Sequence, residues 1–294
     1  MGRLSGSPAS LDQYIANQFV NHQVSFYHAD NIEQVFAHCE NNRLLTRREL
    51  ININPTGKTS FYSDDMDTDL GFDDRIFGNP HDFGKTFVRS SSNCVPNVYG
   101  PILFEFEPST YSIMRDIIIT KMSIGALKRK WRENQVLTEE AVDLILQGNA
   151  MTGDSIQWDW QWCELSCEKQ AIPLTYLKSI IVEPITVEGW TLEYLVSSII
   201  KKHKLNVELS ERPYRQDKPL PLKIIQGLSD FCQSLPADIT EADWAQRLPP
   251  FPESLGNLTD AQKTRFPLWC RYFYFGSLKF MRDRVAAMKS NPGR

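Results

Sequence analysis

The segment Trp160-Gln161-Trp162-Cys163-Glu164-Leu165-Ser166-Cys167-Glu168 constrains the fold more than any other part of this 294-residue chain. It is rich in strand formers, and a strand turns successive side chains to opposite faces. Cys163, Leu165 and Cys167 then share a core face. Trp160, Trp162, Glu164, Ser166 and Glu168 share the other, which sets a carboxylate among tryptophans where strand propensity disfavours Glu. Burying such a carboxylate even partly is costly unless it is paired or hydrogen-bonded. Two readings stand side by side: a solvated strand face with Glu bonded to a local donor, or a carboxylate kept for chemistry.

Around this strand the chain interleaves short β-rich runs with segments of helical spacing. Val24 to His28 reads as a strand, and Asp30 or Asn31 caps a helix whose apolar positions are Ile32, Val35, Phe36 and Cys39. Ile102 to Phe106 is a strong strand, residues 111–150 read as mostly helical with Thr138 capping a helix, and Pro173 to Val182 passes from a turn of helix into a strand. A helix over 191–204 and a strand over 206–209 follow. Residues 51–98 are rich in Asn, Asp, Gly, Ser and Thr around a short apolar piece, Ile76-Phe77, and form a long connection of the kind that is often functional. The prolines of the tail, from Pro219 to Pro267, punctuate helical stretches. The expected domains are 1–215 and a helical appendage over 216–294.

Composition narrows the function classes. No run approaches the ~20 apolar residues of a membrane span, and the opening MGRLSGSPASLDQYIANQF lacks the apolar core of a signal peptide and reads as a flexible start. A cytoplasmic protein without a membrane partner is expected. Of the six cysteines only Cys163 and Cys167 are close, and no metal-ligand spacing surrounds them, so reduced, buried thiols and no metal are expected. No GxGxxG, P-loop or serine-nucleophile motif is present. Residues 216–294 hold 11 Lys/Arg against 8 Asp/Glu, which leaves −7 for residues 1–215 of the overall −4. Neither part carries the dense basic stripe of a duplex-DNA binder. Read singly, His28 is a hydrogen-bonded structural residue, Tyr27 core or rim, and Arg47-Arg48 a solvated basic pair.

Taken in order, these pieces resemble the ADP-ribosyltransferase fold, and DarT-type toxins in particular. The opening Phe26-Tyr27-His28-Ala29-Asp30-Asn31-Ile32-Glu33-Gln34-Val35-Phe36 looks like the family's start, and Arg43-Leu44-Leu45 stands where it has G-x-L-L. Cys163 to Cys167 resembles the strand of the catalytic glutamate. Ala171 to Val182 and Val207 to Tyr214 resemble the strands that follow, so the likeness covers residues 20–215 with a diverged middle. It implies an α+β fold, a split β-barrel or sandwich with flanking helices, with NAD as co-substrate and transfer of ADP-ribose. By position Glu164 is the catalytic carboxylate, with Glu168 the alternative. His28 bonds the cofactor ribose with Tyr27 beside it. The family's arginine corresponds to Arg47, Arg48 or Arg75, of which Arg75 begins the short apolar piece and could clamp the diphosphate. Tyr99, before Gly100-Pro101, lines the same cleft or forms a simple turn.

DarT-type enzymes modify nucleobases in single-stranded DNA, so the resemblance implies a nucleic-acid acceptor, DNA or RNA, and a toxin–antitoxin or phage-defence setting with an antitoxin protein as partner. Phe61, Tyr62, Phe72, Phe77, Phe83, Lys85, Phe87 and Arg89 offer a platform for an unstacked base. Basic residues of the tail, Lys263 to Arg284, could add phosphate contacts or form a solvated helix face. Its aromatic run Trp269, Tyr272, Phe273, Tyr274, Phe275 either covers a hydrophobic patch or docks a partner. A protein side chain as acceptor and a non-catalytic binding protein on the same fold are the alternatives.

Overall fold

The computed structural model describes residues 9–53, 70–72, 74–82, 84, 100–121, 124–150, 163–168, 172–214, 220–236, 238–240, 244 and 259–290. Among the described residues, several α-helices and three sheets give an α+β fold. The strands are β1 (Phe26–Asp30), β2 (Arg75–Gly78), β3 (Ile102–Phe106), β4 (Ile118–Thr120), β5 (Glu164–Glu168), β6 (Leu177–Val182), β7 (Thr186–Val187), β8 (Trp190–Thr191) and β9 (Glu208–Glu211). They assemble as β1-β3-β6-β9, β2-β5-β4 and β7-β8. Two compact units divide the chain, one comprising Met1–His28, Ala37–Asp82 and Phe104–Ser179, the other Ala29–Phe36, Phe83–Leu103 and Ile180–Arg294.

The first unit contains a helix where a flexible start was expected. Helix α1 (Ala9–Asn21) buries Leu11, Ile15 and Phe19, one residue per turn on one face. Phe19 meets Tyr111 edge-on at 4.8 Å, Tyr111 meets Phe26 at 6.1 Å, and the Tyr111 hydroxyl donates to Ser25 O at 3.2 Å. Tyr111 lies in a 3₁₀ turn, Pro108–Ile113, and Ile118–Thr120 is a fully buried strand, so residues 111–150 are less helical than their spacing suggested. The run Ile117-Ile118-Ile119 is β-branched and buried on both faces, which suits an interior strand and no amphipathic helix. Beyond that turn, the helical segments described there are α4 (Ile124–Leu127), a 3₁₀ stretch at Lys128–Asn134 and α5 (Glu139–Ala150), whose cap Thr138 accepts from Ala141 N at 3.3 Å.

Helix α2 (Ile32–Asn41) begins where Asn31 Oδ1 accepts from the Glu33 and Gln34 amides at 2.9 and 3.1 Å, as its sequence position requires. In the second unit, β7 and β8 form a hairpin whose two turn residues, Glu188 and Gly189, both have positive φ (50° and 84°). Helix α6 (Leu192–His203) is capped by Thr191 and ends on a left-handed Lys204. The tail is helical through α7 (Leu220–Gln233), α8 (Asp260–Phe273), a π turn at Tyr274–Leu278 and α9 (Lys279–Ser290), with Pro267 accommodated inside α8. Phe273 and Tyr274 are completely buried there, and Phe275 packs on Trp244 at 5.3 Å. Phe273 and Tyr274 therefore belong to the core.

Strands β1 and β2 approach each other because Gly78 lacks a side chain. A Cβ at Gly78 would stand 2.3 Å from the Phe26 ring and 2.5 Å from Tyr27 O. Backbone bonds join Tyr27 and Asn79 in both directions at 2.8 Å. Phe26 is fully buried and has no room to yield. Gly78→Ala is therefore expected to cost about 1–3 kcal/mol through overpacking, read as a lower denaturant midpoint; an unchanged midpoint would contradict the close approach.

Candidate active site

Strand β5 is the middle of its sheet, antiparallel to both neighbours, with Thr120 opposite Glu164, Ile118 and Phe77 opposite Ser166, and Arg75 opposite Glu168. Its Cys163, Leu165 and Cys167 are buried, and burial raises both thiols, that of Cys167 to about 12. They are protonated core groups, and Cys39, Cys232 and Cys270 are likewise buried and free. Glu164 is half-buried and its Oε1 accepts from Ile124 N at 2.8 Å. Ile124 belongs to a buried apolar cluster with Phe72, Ile118 and Trp131. A carboxylate anchored by a backbone donor beside apolar groups feels a low local dielectric, which strengthens its field on any charge brought near it. Glu168 is exposed at the other end of the strand, roughly 13 Å along it at 3.3 Å per residue.

Arg75, 7% exposed, is engaged on every side. Its Nε donates to Ser166 Oγ at 3.0 Å and Nη2 to Ser166 O at 3.2 Å; Nη1 pairs with Asp116 Oδ2 at 2.7 Å, and Nη2 also bonds Asp116 O. Its guanidinium stands 5.9 Å from the Phe72 ring centroid. Asp116 has a left-handed backbone (φ 51°), and its amide and that of Ile117 donate to Asp12 of α1 at 2.8 and 3.1 Å. Burial raises the Asp12 carboxyl, outweighing those two backbone bonds. The expected clamp on a cofactor diphosphate thus meets a guanidinium already committed to β5 and to Asp116.

His28 and Tyr27 are neighbours on β1 and point to opposite faces. His28 Nδ1 lies 2.6 Å from Phe77 O; a carbonyl only accepts, so the proton is on Nδ1 and a role toward a ribose hydroxyl falls to Nε2. Its ring meets buried His38 edge-on at 5.8 Å. His38 Nδ1 accepts from Leu45 N at 3.0 Å, so the neutral ring carries its proton on Nε2. A metal bound at both Nε2 atoms would have to displace that proton, which does not suit a metal centre. Asn79 Nδ2 donates to Cys163 O at 2.9 Å, tying the bridge partner of Tyr27 to the residue before Glu164.

Tyr27 faces a carboxylate that the sequence reading passed over. Glu105 Oε1 accepts from Lys178 Nζ at 2.7 Å, Ser25 Oγ at 2.9 Å and the Tyr27 hydroxyl at 3.4 Å, and Oε2 from Ser179 Oγ at 2.7 Å. Burial, then the Glu105 charge, push the Tyr27 phenol well up. This is a lacing of β1, β3 and β6. A Glu between Phe104 and Phe106 was its signal.

Arg47 and Arg48 open α3 (Arg47–Ile53) inside a capping box, with Thr46 N donating to Glu49 Oε2 at 2.9 Å and Glu49 N to Thr46 Oγ1 at 3.3 Å. Glu49 also takes a two-pronged bond from Arg43, at 2.9 and 3.2 Å. Arg48 is exposed and 3.5 Å from Asp74, while Arg47 is half-buried. Phe72 is fully buried against Trp131 (5.1 Å), which removes it from the expected base-stacking platform; Phe77 packs beside it at 6.1 Å. Tyr99, Trp160, Trp162, Phe61, Tyr62, Phe83, Lys85, Phe87, Arg89 and Cys94 lie outside the described residues.

The Glu105 lacing predicts a pH dependence. Burial alone would raise its carboxyl, but the bonds from Lys178, Ser179 and Ser25 outweigh burial and hold it below the ordinary range. Its contribution is then complete above the unfolded value of about 4.3 and is lost as pH falls through the lower folded one. Glu105→Gln should melt at a lower temperature than the native chain at pH 7, with the difference shrinking on acidification below about pH 4. A difference that stays constant or widens would contradict the lacing.

No protein-family model matches the sequence, and no curated protein does. Among solved structures the chain is similar to Thermus sp. 2.9 DarT in complex with NAD+, with a TM-score of 0.38 and 10% identity over 65% of this chain and 96% of that one. At that overlap the likeness gives no residue a role.

Proposed function

We propose that residues 1–215 form an NAD-dependent ADP-ribosyltransferase of the split-barrel type, with residues 216–294 as a helical appendage and a nucleic-acid base as acceptor. The observation that carries this reading is the setting of Glu164: a half-buried carboxylate, held by the Ile124 amide at the edge of an apolar cluster, on the strand whose sequence resembles the family's catalytic strand. The chemistry suits such an anion. The bond from ribose C1′ to the nicotinamide nitrogen breaks, and the electron pair leaves with neutral nicotinamide. Positive charge builds on the ribose as in glycoside cleavage. A fixed carboxylate stabilises that charge more than the ground state. The acceptor's lone pair forms the new bond to C1′, and its proton passes to Glu164. His28, through Nε2, would bind the ribose. The toxin role and an antitoxin partner belong to this reading too.

A protein side chain is the second acceptor class. Its support is the inward placement of Phe72, which leaves one aromatic fewer for a stacked base, and the net −7 over residues 1–215.

Labelled NAD incubated with separate DNA, RNA and protein pools tests both. Label in nucleic acid is the expected result, and label in protein alone selects the second class. Glu164→Gln, whose amide oxygen can still accept from Ile124 N, should lower transfer about 100-fold or more while the melting temperature holds. Glu168→Ala should keep most of the activity; the reverse pattern would move the catalytic role to Glu168. No label and no nicotinamide release from the native chain would leave the non-catalytic alternative.

A further inference from the structure

A single buried cation joins three segments around the strand that carries Glu164. Arg75, at the start of β2, reaches over β5 to Ser166, two residues from Glu164, and on to Asp116, two residues before β4. It therefore ties β2 to β5 and to the segment that leads into β4, binding Ser166 through both side chain and carbonyl. Asp116 is in turn held by Asp12 of α1 through two backbone amides. The left-handed turn at Asp116 lets its carboxylate and its carbonyl both face the guanidinium. On the other side of Glu164, Asn79 holds Cys163 O and Ile124 N holds the carboxylate itself.

We propose that Arg75 is a positioning residue for Glu164: with Asp116 and Asp12 it fixes β5 between β2 and β4, and through β5 the carboxylate, without touching substrate. The inference deepens the functional reading above and rests on Glu164 being the catalytic carboxylate. It assigns helix α1, far upstream in sequence, a part in aligning the reacting group. Alignment is where such a device acts, because a displacement of about 1 Å can cost about 100-fold in rate. The planar fork of Arg makes the four bonds at once, and a Lys at the same place, with one ammonium, cannot.

The test compares the native chain with Arg75→Lys, Asp116→Gly and Ser166→Ala. Gly accepts the left-handed backbone at 116, and Ser166→Ala removes one contact while leaving the charge pair with Asp116 in place, so at least one variant should fold. Two readouts are taken: kcat and KM for nicotinamide release from NAD, and hydrogen exchange at the Ile124 amide, which bonds Glu164 directly. A positioning role lowers kcat about 10- to 100-fold with KM for NAD changed less than about twofold, and it lowers Ile124 protection while α5 amides keep theirs. A raised KM with kcat retained would make Arg75 a cofactor clamp and overturn the proposal. Unchanged kcat and unchanged Ile124 protection would overturn it as well. If the native chain releases no nicotinamide, the functional reading fails, and Ile124 protection alone then decides whether the linkage holds Glu164.

Discussion

The buried guanidinium of Arg75 is the interaction on which the first unit's small sheet depends. A cation taken out of water is tolerated only when its donors are matched, and breaking such a pair by removing one partner leaves an uncompensated charge, typically at a cost of about 3–5 kcal/mol. Here the match is made by Ser166 and Asp116, and Asp12 fixes the segment that supplies Asp116. Local chain geometry, helix α1 and the middle strand β5 are thereby held at one point. The position of Glu164 follows from that point, from the Asn79 bond to Cys163 O and from the amide of Ile124.

Two strand glutamates show how environment decides role. Glu105 and Glu164 both sit in strands among apolar or aromatic neighbours, where Glu is disfavoured. Glu105 is drawn into Lys178, Ser25, Ser179 and Tyr27, which fixes it as a structural anion lacing β1, β3 and β6. Glu164 is held by a backbone amide at the rim of an apolar cluster, the setting in which a carboxylate can act on a developing positive charge. Periodicity alone treats the two alike.

Much of the fold was legible where local physics acts alone. The cap at Asn31, the strand Ile102–Phe106, the cap at Thr138 and the core face of Cys163, Leu165 and Cys167 all followed from short-range rules. Helix α1 was legible too, in Leu11, Ile15 and Phe19, but the Gly- and Ser-rich residues before it drew attention from that spacing. The strand Ile118–Thr120 was hidden because a fully buried strand has no polar face to alternate with. Arg75 could be singled out in sequence, but the partners that occupy its guanidinium lie 41 and 91 residues away, and nothing local announces them. The solvated basic pair Arg47-Arg48 proves to open a helix behind the Thr46–Glu49 capping box, in a first turn where the dipole disfavours cations.

In the proposed reaction the Glu164 carboxylate meets the sugar carbon that loses nicotinamide. A structure of the chain with an unreactive NAD analogue measures this directly. A Glu164 oxygen is expected within about 3–3.5 Å of ribose C1′, the separation of a near-attack arrangement. An analogue bound with that carbon nearer Glu168, or away from β5 altogether, would contradict it.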